Sequence, residues 1–311
     1  MLSIQRILFP TDFSEGAERA FPQAAFLANW HDAELHIVNA TARHQHEYAE
    51  AKEHFPVSID TLNAWLRRPS RGNAETAWPD LEALSLVQEQ LESAVPAEAL
   101  TGYADEHDID LVVMGTHGRR GVDRMLFGSV TEEVVRTAPC PVLTVRADAE
   151  RAPDQAVRRV LVPIDFSDAS REALRHAKEI ALTYGAEVDL LHAVQSPTYP
   201  SAYNLDPISF PTDEVVEQAE EQLADWALEE LGYEHALVSA EVGSPSGTIL
   251  DYVEKNEVDL VVIATHGRTG LDRLVLGSVA ERVVRQAPTP VFLVKPDTKS
   301  LLPAKRAVDT A

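Results

Sequence analysis

The sequence is poor in cysteine, in basic residues and in long apolar runs, and each shortage excludes a class of protein. Cys140 is the single cysteine among 311 residues, so a disulfide framework within the chain and a cysteine-based zinc site are excluded. No apolar run approaches the ~18 residues of a membrane span, and the first residues lack the plan of a signal peptide. We therefore expect a cytoplasmic protein that has no membrane partner.

Basic residues are the second shortage: 27 lysines and arginines stand against 50 acidic residues, for a formal net charge of −23. A surface of this charge repels nucleic acid and anionic membranes at long range, so nucleic-acid binding is not expected. The 45% of apolar residues and 25% of charged residues are typical of a globular protein. At ~150 residues per domain, the length suggests two domains.

The chain contains two copies of one domain. Residues 110–146 align without a gap with residues 259–295, and 23 of the 37 positions are identical. Residues 6–14 likewise match residues 159–167. We predict domains at 1–147 and 158–296, joined by a polar linker at 148–157 and followed by a tail at 297–311. The tail has no clear pattern and is expected to be loose.

Strand and helix patterns alternate in each copy, less clearly in the first copy between Thr41 and Glu82. In the second copy the patterns predict strand Arg159–Ile164, helix Ala169–Tyr184, strand Glu187–Val194, helix Val215–Leu231, strand Ala236–Val242, helix Pro245–Asn256, strand Leu260–Ile263, helix Ser278–Ala287 and strand Val291–Val294. Gly185 and Gly232 are expected to end two of these helices. Strands that alternate with helices predict an α/β fold, with a five-stranded parallel sheet covered on both faces.

Ligands of such sheets bind beyond the carboxyl ends of the strands, where the strand order reverses. Two loops are expected to meet at that edge. One follows the first strand and carries Asp12 in the first copy or Asp165 in the second. The other follows the fourth strand and is rich in glycine.

The glycine-rich loop of the first copy runs from Gly115 to Gly118 and continues over nine residues to Gly128 and Ser129. Gly118 and Gly128 permit positive φ and a close approach of backbone N–H groups to an anion. Residues 129–132 read as a capping box that opens a helix, and a helix N-terminus is a natural cradle for phosphate. The alternative is that Gly128 makes a turn and Ser129 only caps the helix.

The aspartates that follow the first strand of each copy have two interpretations. Asp12 and Asp165 can accept hydrogen bonds from a base or a ribose at the edge of the sheet. Helix capping explains either aspartate alone equally well, because a phenylalanine and a serine follow each of them. The recurrence of the aspartate together with the glycine loop in both copies favours the ligand-binding interpretation.

These two motifs resemble those of the universal stress protein family. The resemblance covers both halves, 1–147 and 158–296, so the chain is similar to tandem-domain members. It implies a five-stranded parallel α/β fold that is related to other adenine-nucleotide-binding folds. Some members of the family bind ATP or another adenine nucleotide and others do not, and the glycine loop is the feature associated with binding.

The resemblance also implies which residues would bind the nucleotide. In the first copy, Pro10, Thr11, Asp12 and Ala40 would hold adenine and ribose, and Met114, Gly115, Gly118, Gly128, Ser129 and Val130 would hold ribose and phosphates. In the second copy the same positions are Pro163, Ile164, Asp165, Ala193, Ile263, Ala264, Gly267, Gly277, Ser278 and Val279. The nucleotide is expected to be ATP or a relative, with Mg²⁺ as its counter-ion.

The second copy departs from the pattern at two of these positions. The first glycine of the loop is Ala264, which is strained if that position needs positive φ. Thr11 is replaced by Ile164, which has no hydroxyl group. The first copy departs elsewhere, because Gly243-Ser244-Pro245 corresponds to Ala94-Val95-Pro96. We therefore expect the first copy to be the better binder.

Several other residues are of types that can carry chemistry. His117 and His266 lie in the glycine loops next to arginines, but neither is paired in sequence with a carboxylate, so neither is assigned as a general base. The spacing of the histidines at 44, 46 and 54 gives no metal signature. Trp65 and Trp78 are interpreted as packing residues. Cys140 is not expected to act as a nucleophile, because threonine replaces it in the other copy.

Three functions remain open at this stage. The first is a cytoplasmic stress-response sensor or regulator that binds an adenine nucleotide in at least one half, with at most slow ATP hydrolysis, because no dedicated base for phosphoryl transfer is evident. The second is a scaffold of the same fold without a nucleotide. The third is an enzyme of the nucleotidyl-transferase type, but the His-x-x-His motif expected near the first helix is missing.

The last strand of each copy is expected to lie at a sheet edge, and bare edges invite pairing. The strands concerned are Val142–Arg146 and Val291–Lys295. Members of the resembled family pair through this strand, which implies an internal pseudo-dimer of the two halves. A homodimer of the whole chain remains open.

Overall fold

The computed structural model describes residues 2–41, 55–66, 79–116, 128–146, 157–195, 212–232, 236–266, 276–296 and 298–303. The strands are β1 Arg6–Pro10, β2 Glu34–Thr41, β3 Leu86–Glu92, β4 Leu111–Gly115, β5 Val142–Val145, β6 Arg159–Pro163, β7 Glu187–Val194, β8 Leu237–Val242, β9 Leu260–Ala264 and β10 Val291–Val294. The helices are α1 Glu15–His31, α2 Ile59–Leu66, α3 Pro96–Glu106, α4 Ser129–Thr137, α5 Asp168–Tyr184, α6 Thr212–Trp226, α7 Pro245–Lys255 and α8 Ser278–Gln286.

The ten strands form one sheet in the order β3-β2-β1-β4-β5-β10-β9-β6-β7-β8. Pairing is parallel throughout each half, as the alternation of strands and helices predicts. The order reverses between β1 and β4 in the first half and between β6 and β9 in the second. The carboxyl ends of these two strand pairs are therefore the expected ligand positions.

The two halves join through their last strands, so the predicted internal pairing is confirmed. β5 and β10 are antiparallel, with Leu143 opposite Phe292, and the side-chain hydroxyl of Thr144 donates to the carbonyl of Val291 at 3.3 Å. Because this one pairing is antiparallel, the strands of the two halves run in opposite directions. The carboxyl edge of the first half therefore lies on the side of the sheet where the second half has its amino edge.

Helices cover both faces of the sheet and bury a separate core on each. One core contains apolar residues of α1, α2, α5 and α6, and the other contains those of α3, α4, α7 and α8. The inner strands are buried on both sides, which explains their nearly continuous apolar sequences. Among the described residues, no helix is long and apolar enough to cross a membrane.

All the elements predicted for the second copy are present, with ends that differ by a few residues at most. Gly185 and Gly232 adopt φ of 69° and 77° and end their helices, as expected, although the last turn before Gly232, Ala227–Leu231, is a π-helix. The first copy contains one helix whose position the sequence pattern, less clear between Thr41 and Glu82, did not define. This helix is α2, and the packing of Trp65 against Phe21 at 5.5 Å between ring centroids anchors it to α1.

Residues 298–303 are not loose, contrary to the expectation for the tail. Leu301 is completely buried, and its carbonyl accepts a hydrogen bond from the backbone N–H of Ser3 at 2.9 Å. Lys299 forms ion pairs with Asp108 at 2.6 Å and with Asp110 at 2.7 Å. The chain therefore crosses from the second half back onto the first after β10.

Candidate functional site

The loop that follows β1 is ordered by its own polar side chains. The carboxylate of Asp12 accepts the backbone N–H of Ser14 at 3.0 Å, and the hydroxyl of Thr11 accepts that of Phe13 at 3.1 Å. Ser14, not Asp12, caps α1, because the Ser14 hydroxyl accepts the N–H of Ala17 at 3.3 Å. The capping alternative for Asp12 is therefore replaced by a tight turn that presents the aspartate at the carboxyl edge of the sheet.

Phe13 keeps this loop in an unusual backbone conformation. Its φ is 59°, in the left-handed region that residues other than glycine rarely adopt. The ring packs against Trp65 at 6.3 Å and against Phe55 at 6.2 Å between centroids. Aromatic packing therefore holds the turn that carries Asp12.

The end of β2 supports the same loop from the neighbouring strand. The side-chain amide of Asn39 donates to the carbonyl of Thr11 at 2.7 Å, and Gln90 on β3 donates to Asn39 at 3.5 Å. Asn39 is buried, so this contact is shielded from water. Ala40 follows immediately, at the position that the sequence assigns to the base.

A short hydrogen-bonded link holds the start of α4 beside the end of β4. The N–H of Gly128 donates to the carbonyl of Thr116 at 3.0 Å, and the hydroxyl of Thr131 donates to the carbonyl of Gly115 at 3.0 Å. This link brings Met114, Gly115, Gly128, Ser129 and Val130 together, as the sequence predicts. Gly118 and His117 lie outside the described residues.

The capping box predicted at residues 129–132 is absent. Gly128 is the N-cap residue, Ser129 is the first helical residue, and no side chain caps the helix. Gly128 has φ of −64°, so it does not use the positive φ that glycine permits. An uncapped helix start whose first side chain, Ser129, is exposed is open to an anion.

The close approach of α1, and not a positive φ, explains the glycine at position 115. A Cβ atom at this position would lie 2.6 Å from the backbone carbonyl of Gly16, so the absent side chain lets α1 pack closely on β4. Neither Gly115 nor Ala264 is among the described residues that have positive φ. Ala264 therefore carries none of the backbone strain that a positive φ would impose.

The second copy repeats the architecture at the ends of β6, β7 and β9. Asp165 accepts the N–H of Ser167 at 3.1 Å, and Phe166 has φ of 61° and packs on Trp226 at 5.4 Å between centroids. Here His192 stands where the first copy has Asn39, and its Nδ1 atom donates to the carbonyl of Ile164 at 2.7 Å. The two loops are thus built on one plan, although their supporting side chains differ.

The helix start of the second site is linked to β9 in the same way. The N–H of Gly277 donates to the carbonyl of Thr265 at 2.8 Å, and no side chain caps α8. This link places Ser278 and Val279 beside Ile263 and Ala264, with Ala193 on β7 at the same edge. Gly267 lies outside the described residues.

Within the part of the chain that the structure describes, the other polar residues that the sequence brings forward form no further site. Among the described residues, no group of three or more histidine, cysteine or acidic side chains is placed to hold a metal ion. Cys140 is buried, and burial raises the pKa of its thiol to about 12, so the thiolate is disfavoured. His266 hydrogen-bonds the hydroxyl of Thr265 at 2.9 Å. Trp65 is a packing residue, as predicted, while Trp78 and the histidines at 44, 46 and 54 lie outside the described residues.

A family comparison matches this arrangement twice along the chain. The model of the universal stress protein family covers residues 3–146 and again residues 156–295. The chain belongs to the universal stress protein family. It is a tandem member with two such domains, and the resemblance found in the sequence is confirmed.

Individual relatives agree with this assignment. Universal stress protein MJ0531 of Methanocaldococcus jannaschii is 37% identical over 145 residues, which are 46% of this chain and 84% of that protein. Universal stress protein Rv2005c of Mycobacterium tuberculosis is 31% identical over 211 residues, 67% of this chain and 69% of that protein. The matches to these two universal stress proteins cover about half and about two thirds of the chain, respectively.

Solved structures support the fold over the whole chain. A putative universal stress protein from Pseudomonas aeruginosa has a TM-score of 0.65 at 19% identity and covers 95% of this chain and 94% of its own. A universal stress protein from Archaeoglobus fulgidus has a TM-score of 0.62 at 21% identity, over 93% of this chain and 98% of its own. At these identities the comparison concerns the fold alone.

Sequence reasoning missed the supporting residues of both universal stress protein domains. Asn39 and His192 lie inside strands, where they read as ordinary core positions of β2 and β7. Phe13 and Phe166 read as apolar neighbours of a helix start. The signal that was available is repetition: an Asp-Phe-Ser run in each copy, each followed by a tryptophan later in the domain.

Proposed function

We propose that the protein is a cytoplasmic stress-response regulator that binds ATP, or another adenine nucleotide, in at least its first domain. The observation that carries the proposal is the pairing of two features at one sheet edge. An uncapped helix start at Gly128 is fixed beside the end of β4, and the turn with Asp12 follows the adjacent β1. Together they offer a phosphate site and a carboxylate for a ribose.

Each part of the nucleotide has a place in this proposal. Adenine and ribose lie against Pro10, Thr11, Asp12 and Ala40. The phosphates lie against Gly128, Ser129 and Val130 at the helix start, with Met114, Gly115 and Gly118 between the two groups. Mg²⁺ accompanies the phosphates as their counter-ion, without assigned protein ligands.

The second domain is proposed to bind in the same way but more weakly. Its positions are Asp165, Ala193, Ile263, Ala264, Gly267, Gly277, Ser278 and Val279. Ala264 is unstrained, so we base this difference on the hydroxyl of Thr11, which the second domain lacks at Ile164. One lost hydrogen bond weakens binding by about 1 kcal/mol, or roughly fivefold.

We propose a regulatory role and not an enzymatic one, with at most slow hydrolysis of ATP. The sequence shows no dedicated base for phosphoryl transfer. The protein would act through its bound or unbound state. A nucleotide-free scaffold is the competing function, in which Asp12 and Gly128 serve only the turns that they form.

A charge change at the helix start separates these two functions. Ser129→Asp places a carboxylate in the first turn of α4, where negative charge favours the helix by about 0.3–1 kcal/mol. The same carboxylate repels phosphates. The variant is therefore expected to melt at the same temperature as the wild type or slightly higher, while its first-domain ATP affinity falls by more than tenfold in isothermal titration with MgATP.

Ser3→Asp is the matched control, because it makes the same charge change at an exposed position before the amino end of β1, at the opposite edge of the first half's sheet from the proposed site. Its ATP affinity is expected to remain within twofold of the wild type. Equal affinity of Ser129→Asp and the wild type contradicts the placement of the phosphates. A wild type that binds no ATP at millimolar concentration supports the scaffold.

A further inference from the structure

We propose that the two nucleotide sites are coupled, so that ATP at one site tightens binding at the other, through reciprocal clamps between the domains. The proposal rests on nucleotide binding as proposed above. It adds that the occupancy of each site regulates the affinity of the other. The clamps are a lysine and an arginine that follow the two central strands.

The first clamp contacts the C-terminal end of α4, the helix that starts at the proposed nucleotide site of the first domain, here called site 1; site 2 is the proposed nucleotide site of the second domain. The ammonium group of Lys295, which follows β10, donates to the carbonyls of Arg136 at 2.9 Å and Ala138 at 2.6 Å. These carbonyls lie at the C-terminal end of α4, where a cation is favoured by the helix dipole. Lys295 is buried, so the contact is shielded from solvent and salt.

The second clamp is the pseudo-symmetric counterpart of the first. Arg146 occupies the position after β5 that Lys295 occupies after β10. Its guanidinium donates to the carbonyl of Arg285 at 3.0 Å, at the C-terminal end of α8. Each domain therefore places a cation on the helix whose start forms the other domain's phosphate site.

Each clamp is also tied to the site in its own domain. The backbone of Val145, next to Arg146, accepts the N–H of Thr116 at 3.0 Å, and the carbonyl of Thr116 accepts the N–H of Gly128 at 3.0 Å. Thr265 makes the equivalent link in the second domain. Its N–H donates to the carbonyl of Val294 at 2.9 Å, and its carbonyl accepts the N–H of Gly277 at 2.8 Å.

These contacts close a ring through both sites. From the start of α4 the path runs along the helix to Lys295, then through Val294 and Thr265 to Gly277, along α8 to Arg146, and back through Thr116 to Gly128. Each helix has nine residues and spans about 13 Å as a rigid element. A nucleotide that orders one helix start thereby orders the clamp on the other domain, and the second nucleotide loses less conformational entropy.

The coupling is measured by disabling one site and titrating the other. Asp165→Ala removes the carboxylate of site 2 and lies outside the ring. In the full chain, we expect site 1 of Asp165→Ala to bind MgATP about fivefold or more weakly than site 1 of the wild type binds it when site 2 is occupied. In a Lys295→Met background, Asp165→Ala is expected to change the site 1 affinity by less than twofold.

Lys299→Met is the matched control, because Lys299 also joins the two domains but lies outside the ring, on Asp108 and Asp110. It should retain the full effect of Asp165→Ala. Lys295→Arg is the rescue variant, because Arg146 makes the equivalent contact, with the carbonyl of Arg285. A wild type that binds two ATP independently, or only one, overturns the coupling alone. A wild type that binds no ATP overturns the proposed function and the coupling together.

Discussion

Phe13 and Phe166 hold the same left-handed backbone conformation at equivalent positions of the two domains, with φ of 59° and 61°. Each is kept there by a tryptophan, Trp65 in the first domain and Trp226 in the second. A bulky residue in this region carries a steric cost of about 1–2 kcal/mol. Its occurrence in both domains, directly after the aspartate of each proposed site, indicates that the turn needs this conformation.

The conformation predicts an unusual order of stability for two substitutions at position 13. Phe13→Ala and Phe13→Gly both lose the ring contacts, but only glycine removes the steric cost of positive φ. Phe13→Gly is therefore expected to be more stable than Phe13→Ala by about 1 kcal/mol. Urea unfolding of the two variants measures the difference, and a more stable alanine variant would show that the turn relaxes to negative φ.

We expect that Gly115 cannot be enlarged to alanine without a loss of stability, whereas Ala264 can be replaced by glycine at little cost. Gly115→Ala places a Cβ atom 2.6 Å from the backbone of Gly16, so we expect a loss of about 1–3 kcal/mol in the free energy of unfolding. Ala264→Gly is the matched reverse change and is expected to cost about 1 kcal/mol or less. Denaturant titration of both variants checks this, and a neutral Gly115→Ala would mean that α1 moves away easily.

Lys295 is expected to make stability depend on pH in the alkaline range. Burial lowers the pKa of its ammonium group from 10.5 to about 8, so between these values the unfolded chain binds more protons than the folded one. Stability therefore rises with pH across this window by at most about 1.4 kcal/mol per pH unit, and the gain is lost as the pH falls through 8.

Lys295→Met removes this group, so the variant should lose that slope. Unfolding of both proteins in urea at pH 8, 9 and 10 gives the difference in their free energies. We expect the free energy of unfolding of the wild type to increase relative to that of the variant as the pH rises. A constant difference at all three values would show that the ammonium group keeps an ordinary pKa when buried.

The packed part of the tail is expected to stabilise the chain substantially. Leu301→Ala should cost about 2–5 kcal/mol, because Leu301 is completely buried. Leu302→Ala is the control, since Leu302 is only partly buried and should cost less. Thermal melts of the two variants compare them directly. Equal and small shifts of the melting temperature in both variants would contradict the packing of the tail and favour the loose segment that its sequence suggests.

Much of the fold follows from local pattern alone. The second domain shows why: its helices are amphipathic over several turns and two of them end at Gly185 and Gly232, so local chemistry and tertiary structure agree. Helix α2 could not be located from the sequence because it has only eight residues and depends on Trp65, whose partners are distant in the sequence. Leu301 was missed for the same reason, as its burial depends on contacts with the other domain.

The candidate site was predictable in its location but not in its geometry. The repeat and the parallel sheet place Asp12 and Ser129 at one edge, as the structure confirms for the elements that carry them. The cap is different: a serine before a helix reads as a capping residue, yet Gly128 occupies that place because its N–H is tied to Thr116. A hydrogen bond across 12 residues is invisible to a local pattern.

The stoichiometry of ATP binding to the purified full chain, measured by equilibrium dialysis with Mg²⁺, tests the central claim most directly. The account predicts at least one ATP per chain, bound in the first domain, and a value near two if the sites are coupled as proposed. No ATP bound at millimolar concentration would contradict the account and leave Asp12 and Gly128 as parts of turns only.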